Sequence, residues 1–205
     1  MLALVRGYAR GGGLAVVYPL TRAISPLAVA LLARVMVGER LSAGGYAGVA
    51  MVSAGVGLFA TRGGLRGSAA VGWGLTGGVL TAAYTVCDAQ GARLSPSVAG
   101  YGATVALLNA LVLGSVHHLR VGSIRSVLAS HPGIATLGAG AAAISYLTIL
   151  WVYTRTQIAI GAALRDTSIV FAALIATVVL RERMTPARVG AVALVAAGAV
   201  TLRLA

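Results

Sequence analysis

The sequence predicts an all-α protein, a polytopic transmembrane helix bundle with about seven spans. Two observations lead to that class. Hydrophobic residues make up 59% of the 205 residues and charged residues only 10%, whereas soluble domains carry about 25% charged residues. So few ionisable groups cannot cover a water-facing surface. Apolar stretches of about 20 residues also recur between short polar breaks, the length a bilayer core of about 30 Å requires. Mean hydropathy is +0.93. Aromatic residues are 5% and the apolar mass is Ala, Val, Leu and Gly, which favours closely packed helices over a barrel with alternating strands and aromatic girdles.

The spans are predicted at 13–37, 43–61, 69–88, 97–117, 133–153, 157–180 and 187–204. Glu39 and Arg40 end the first span, and Pro19 and Pro26 within it are expected to kink its backbone, because proline removes an intrahelical hydrogen bond. Gly44 and Gly48 in the second span, and Gly74 and Gly78 in the third, have the small-xxx-small spacing that lets helix backbones approach. Arg62 and Arg66 separate the second and third spans, and Asp88 and Arg93 separate the third and fourth. The longest connection, about 118–131, is read as a surface loop or short interfacial helix. Arg155 precedes the sixth span, and Arg181 to Arg188 connect it to the last. Gly11-Gly12-Gly13 lacks the preceding strand and following Gly-Lys-Ser/Thr of a phosphate loop, so it reads as a turn. The stub Met1–Val5, broken by Arg6 and Arg10, does not have the order of a cleavable signal.

Charge and composition exclude several functions. The net charge is +12, but the arginines lie mostly between apolar spans and are not gathered on one polar face, so no nucleic-acid partner is expected. His117, His118 and His131 have no carboxylate or thiol at ligand spacing, and no metal or cofactor is expected. There is no nucleophile elbow, no His-Glu-x-x-His and no acidic pair, so an enzyme is not expected. Cys87 is alone, reads as a small packing residue and excludes an intrachain disulfide.

The chain also resembles itself. Arg22 to Gly55 can be laid without gaps on Arg165 to Gly198, and over a third of the positions coincide. Arg22 falls on Arg165, Ser25 on Ser168, Glu39-Arg40 on Glu182-Arg183, and Ala54-Gly55 on Ala197-Gly198. The equivalent helices are an odd number of spans apart, so they cross the membrane in opposite directions. Inverted repeats of this kind are a hallmark of secondary transporters, whose sites lie near the midplane at the repeat interface.

The segment Tyr18-Pro19-Leu20-Thr21-Arg22-Ala23-Ile24-Ser25-Pro26, with Gly38-Glu39-Arg40-Leu41-Ser42 and Ala54-Gly55-Val56, resembles the EamA-type module of the drug/metabolite transporter superfamily. Arg181-Glu182-Arg183-Met184 and Ala197-Gly198-Ala199 resemble a second copy. The resemblance implies ten helices in two inverted EamA repeats. On that basis 1–61 is expected to be the last two helices of a first repeat and 69–205 a complete second repeat, with three helices missing from an N-terminally incomplete chain. It further implies a permease in a bacterial inner membrane that moves a small organic solute, such as an amino acid, metabolite or drug-like compound, by alternating access. The expected partners are the lipid bilayer and a small-molecule substrate, with a homodimer left open. A truncated non-transporting scaffold or partner subunit, and a lipid-carrier flippase, are the alternatives. The resemblance places both ends of the full-length protein in the cytoplasm, with the 38–42 and 89–96 loops inside, whereas the arginine bias between loops favours the opposite orientation.

Ionisable residues inside spans are costly, about 2.5–3.5 kcal/mol at a helix centre, and mark candidate substrate pathways. These are Arg22, Arg165 and Asp166. Arg165 and Asp166 are expected to pair locally, leaving Arg22 to attract an anionic substrate group. Tyr18, Tyr84, Tyr146 and Trp151 are added as amphipathic rings suited to a cavity, along with Trp73. Glu39 and Glu182 are expected to form helix-end ion pairs with Arg40 and Arg183.

Overall fold

The computed structural model describes residues 13–60, 68–120, 132–178 and 185–205. Residues 1–12 and the breaks containing Arg62 and Arg66, Arg125 and His131, and Arg181 to Met184 lie outside the described residues. The described residues are all helical apart from short turns and loop segments. The helices are α1 (Gly13–Met36), α2 (Ala43–Ala60), α3 (Ser68–Leu94), α4 (Val98–Arg120), α5 (Pro132–Arg155), α6 (Ile158–Asp166), α7 (Ser168–Val178) and α8 (Pro186–Leu204). Segments of α1, α4, α5 and α8 are long and apolar enough to cross a membrane, and α2 is a shorter apolar helix. The predicted all-α transmembrane bundle is therefore the observed class.

Two elements depart from the predicted spans. The third was expected to end at Asp88 but continues to Leu94. Asp88 and Arg93, read as a break, instead find partners: Arg93 Nε donates to the Tyr153 carbonyl at 2.7 Å, and Asp88 is described below. The sixth span, expected to run unbroken through 157–180, divides at Thr167 into α6 and α7. The Leu164 carbonyl accepts both the Thr167 N–H at 3.2 Å and the Thr167 hydroxyl at 2.7 Å, and the Val170 N–H returns to the Thr167 carbonyl at 2.9 Å. The Thr167 hydroxyl competes for a backbone carbonyl, and the tightened turn is the local result.

The chain forms two compact units, one of residues 1–87 and 156–205 and the other of 88–155. In the first, the main packing is of α2 on α8, followed by α1 on α2 and α1 on α6. The α2–α8 interface is antiparallel: Gly48 meets Leu202, Val52 meets Gly198, and Gly55 meets Val195 and the Ala191 carbonyl. A Cβ at Gly55 would lie 2.6 Å from Val195 Cγ2, and one at Gly198 would lie 2.9 Å from Val52 Cγ2. The shift that lays Arg22 on Arg165 carries Val52 onto Val195 and Gly55 onto Gly198. The two contacts are thus the same contact made twice. Both predicted glycine pairs sit at close approaches, Gly74 against Leu20 and Gly78 against Ile24. Val17, Val29, Val49, Val52, Val56 and Val195 fill the core of this unit.

In the second unit α4 packs on α5 at Gly102, where a Cβ would lie 2.6 Å from Leu147 Cδ2. The rest of α4 presents Leu107, Leu108, Leu111, Val112 and Leu113 outward, all exposed. A contiguous apolar surface of that kind suits hydrocarbon and not water.

Replacing Gly55 or Gly198 by Leu is expected to lower stability by about 1–3 kcal/mol through overpacking, whereas Gly133→Ala, which meets no neighbour within 4 Å, is expected to be near neutral. Thermal unfolding of the purified variants in detergent checks this; equal melting temperatures for Gly55→Leu and Gly133→Ala would remove α2–α8 packing as the central interface.

Candidate functional site

The site begins with helix register. Tyr18 and Arg22 are four residues apart on α1 and therefore share a face. The Tyr18 hydroxyl accepts from Arg22 Nε at 3.2 Å and Nη2 at 2.9 Å, and the guanidinium carbon lies 5.3 Å from the Tyr18 ring centre. Arg22 Nη1 donates to Asp166 Oδ1 in a salt bridge. Asp166 is 6% exposed and ends α6, a helix C-terminus where the backbone dipole disfavours a negative charge. The Arg22 cation offsets that cost. Tyr18, Arg22, Val56, Asp166, Ser168 and Ile169 line a cavity of about 110 Å³, large enough for a small polar group or a few waters.

This corrects the expected local pair of Arg165 and Asp166. Consecutive residues on a helix point about 100° apart and do not face each other. Asp166 turns inward to Arg22 while Arg165 is exposed. Arg22 accordingly already holds a carboxylate. Pro26 has no N–H to donate to the Arg22 carbonyl, although α1 continues through both prolines to Met36.

Glu39 is placed by its glycine neighbour. Gly38 has φ +76°, the left-handed conformation that glycine adopts without a Cβ penalty, and it turns the chain so that the Glu39 N–H returns to the Ala33 carbonyl at 3.2 Å. The Glu39 carboxylate then accepts the Ile158 N–H at 2.8 Å, capping α6. Gln157 Nε2 donates to the Arg40 carbonyl at 3.1 Å beside it. Glu39 thus serves the helix that carries Asp166, a role that the expected pairing with Arg40 missed. Glu182 and Arg183 lie outside the described residues.

The remaining predicted residues do not join this cavity's lining. Tyr84 is exposed on α3. Tyr146 and Trp151 belong to the other compact unit. There the exposed Trp151 ring lies 5.5 Å from the Arg155 guanidinium carbon, and the Tyr146 hydroxyl donates to Asp88 Oδ2 at 2.9 Å. The Tyr101 hydroxyl donates to Asp88 Oδ1 at 3.3 Å. Reading polar residues as helix breaks hid this cluster. Helical spacing beyond Asp88, with Gly91 one turn on, was the signal that could have revealed it. Among the described residues no group of His, Cys, Asp and Glu is arranged to hold a metal ion.

The first unit, packed through glycines, thus holds an ion pair between α1 and α6 beside a cavity. The family model described as the EamA-like transporter family matches residues 68–204, about two thirds of the chain. The chain belongs to the EamA-like transporter family. Comparison with curated proteins finds no match, and neither does comparison with solved structures. As a member of a transporter family with several helices long and apolar enough to cross a membrane, it is a multi-pass membrane protein. The matched segment contains Asp166 and Asp88; Arg22 precedes it and reaches the site by packing.

In this EamA-like transporter, Asp166→Asn is expected to destabilise by about 1–3 kcal/mol, because it leaves the half-buried Arg22 charge without its ion-pair partner. Arg165→Gln is expected to change stability by less than about 0.5 kcal/mol. Arg22→Gln combined with Asp166→Asn should recover much of the loss. Chemical unfolding of the four proteins in one detergent measures the cycle, and an Arg165→Gln loss as large as that of Asp166→Asn would contradict the observed pairing.

Proposed function

We propose that the chain is a permease that moves a small organic solute across a bacterial inner membrane by alternating access, with the Tyr18–Arg22–Asp166 cavity on the substrate pathway. The observation that supports this most is the ion pair between α1 and α6, which joins the two repeat-related segments beside the break at Thr167. Broken helices at a repeat interface are where carriers of this type place solute.

The chemistry suits an anionic or zwitterionic solute. A substrate carboxylate presents the same planar acceptor as Asp166 and competes for the Arg22 donors. Release of Asp166 from Arg22 then loosens α6 from α1, and occupancy is coupled to movement of the two segments. The Tyr18 hydroxyl keeps Arg22 oriented during the exchange, because it holds the two donors that Asp166 does not. Val56 and Ile169 supply the apolar wall of the same cavity.

Flux of a radiolabelled panel of amino acids and carboxylate metabolites into proteoliposomes tests the reading. Arg22→Ala and Asp166→Ala are expected to lower uptake by about tenfold or more, while Arg155→Ala leaves it near the parent rate. Parent-level uptake by folded Arg22→Ala and Asp166→Ala proteins would take the cavity off the pathway. Absence of uptake across the panel, with a stable partner protein retained on purification, would favour the scaffold reading instead.

A further inference from the structure

Three arginines of the first unit gather at one end of its helices. Gly38, at φ +76°, turns the chain back after α1, and the Ser42 hydroxyl accepts the Gly45 N–H at 2.9 Å where α2 begins. Arg34, in the last turn of α1, donates from Nη1 to the Tyr46 hydroxyl in the first turn of α2 at 3.2 Å. The end of α8 reaches the same turn, since a Cβ at Gly44 would lie 3.2 Å from the Ala205 Cβ, and Gly48 meets Leu202. Arg203, in the last turn of α8, therefore stands at this end too, and Arg40 lies in the connection between α1 and α2. All three arginines are exposed. Among the described residues none of the three has an acidic partner. Glu39, their neighbour in the chain, accepts the Ile158 N–H.

The helix dipole accounts for part of this arrangement. A cation in the last turn suits the C-terminus of α1 and of α8, but Arg40 is on no helix and the dipole gives no reason for it. The surface beside each helical arginine supplies the rest. Leu27, Leu31 and Arg34 are spaced i, i+4 and i+7 and share one face of α1, and Ala196, Val200 and Arg203 share one face of α8 in the same spacing. The apolar members of both strips are exposed. Each strip is thus an open apolar surface about 10 Å long that ends in a guanidinium. Both belong to segments long and apolar enough to cross a membrane, Val17–Met36 and Pro186–Leu204, and each arginine lies in the last turn of its segment. An apolar strip closed by a cation matches an acyl chain followed by its phosphate. Guanidinium forks are suited to phosphate oxygens, and Arg34 spends one donor on Tyr46. A zwitterionic headgroup brings an ammonium that three cations repel, whereas an anionic headgroup complements them.

We infer that Arg34, Arg40 and Arg203 form a binding site for anionic phospholipid headgroups, with acyl chains along the exposed strips of α1 and α8. The site is separate from the Tyr18–Arg22–Asp166 cavity, and its occupancy does not depend on solute crossing the membrane.

Native mass spectrometry of the full chain released from detergent micelles, titrated with dioleoyl phosphatidylglycerol or dioleoyl phosphatidylcholine, tests the site without any flux assay. The parent protein is expected to hold phosphatidylglycerol at least about fivefold more tightly than phosphatidylcholine. Arg34→Gln, Arg40→Gln and Arg203→Gln are each expected to weaken phosphatidylglycerol binding by about threefold to fivefold, and the triple variant to show no preference between the lipids. Should the triple variant fail to fold, the three single variants carry the same test. Arg40→Lys, which keeps the charge, is expected to stay within about twofold of the parent. Arg155→Gln is expected to bind as the parent does. The inference is overturned by equal affinity of the parent for the two lipids, by an unchanged preference in the folded Arg→Gln variants, or by loss in Arg155→Gln alone, which would move the contact to the other unit. Glycerol 3-phosphate at matched concentration is expected to leave the lipid bound; displacement by it would make the site one for a soluble phosphate and overturn the lipid assignment.

Discussion

The packing of α2 against α8 is the constraint on which the first unit depends. Helices in lipid gain little from burying apolar side chains against one another, so they associate where small residues allow backbones to approach. Gly55 and Gly198 provide that approach, each against the valine of the other helix, Val195 and Val52. Because the contact is made twice about a centre, the two helices are fixed in register as well as in distance. A slip of one turn would drive a valine into a position without a glycine. α1 packs on α2, and α6 on α1, so the meeting of Arg22 with Asp166 is set by an interface that contains neither.

The charged residues show how a chain with few acids uses them. There are four Asp and Glu residues, and of these Glu39, Asp88 and Asp166 lie among the described residues. Each has a specific task. Glu39 caps the helix that ends at Asp166, Asp166 holds Arg22, and Asp88 gathers two tyrosines. A carboxylate placed at random in such helices would cost free energy with no return. The cap and the pair also cooperate: the anion at the start of α6 suits the dipole there, while the anion at its end opposes the dipole and needs the arginine.

The helix order was legible in the sequence because apolar length and polar breaks are strong signals in a bilayer. The glycine pairs were legible as well. Side-chain partners were less so. Arg165-Asp166 looked like a pair only because the residues are adjacent, and helical geometry separates neighbours that sequence places together. Asp88 looked like a loop residue because polarity was read as a break. Its phenol partners come from two other helices, at separations that no local pattern records. The division at Thr167 was hidden for another reason. Its cause is a hydroxyl and an amide sharing one carbonyl, while the surrounding sequence remains apolar and helix-compatible.

The two self-similar segments are equivalent in packing and different in chemistry, and the difference bears on the proposed mechanism. The shift that relates the copies carries Val52–Gly198 onto Val195–Gly55, both observed contacts. The same shift carries Arg22–Asp166 onto Arg165–Ala23, which has no anion. Each copy also weakens its helix at nearly the same place, Pro26 in one and Thr167 in the other, since Thr167 corresponds to Ile24 and Pro26 to Ile169. Under alternating access, exchange of conformation between the copies preserves the glycine interface, because that interface is its own equivalent. It does not preserve the ion pair. The observed state has Arg22 neutralised by Asp166, and an exchanged state of the proposed permease would have no internal carboxylate in the corresponding place. In the proposed permease, a solute that brings its own carboxylate would supply the missing charge, so the cost of leaving the paired state would be lowest with the cavity loaded.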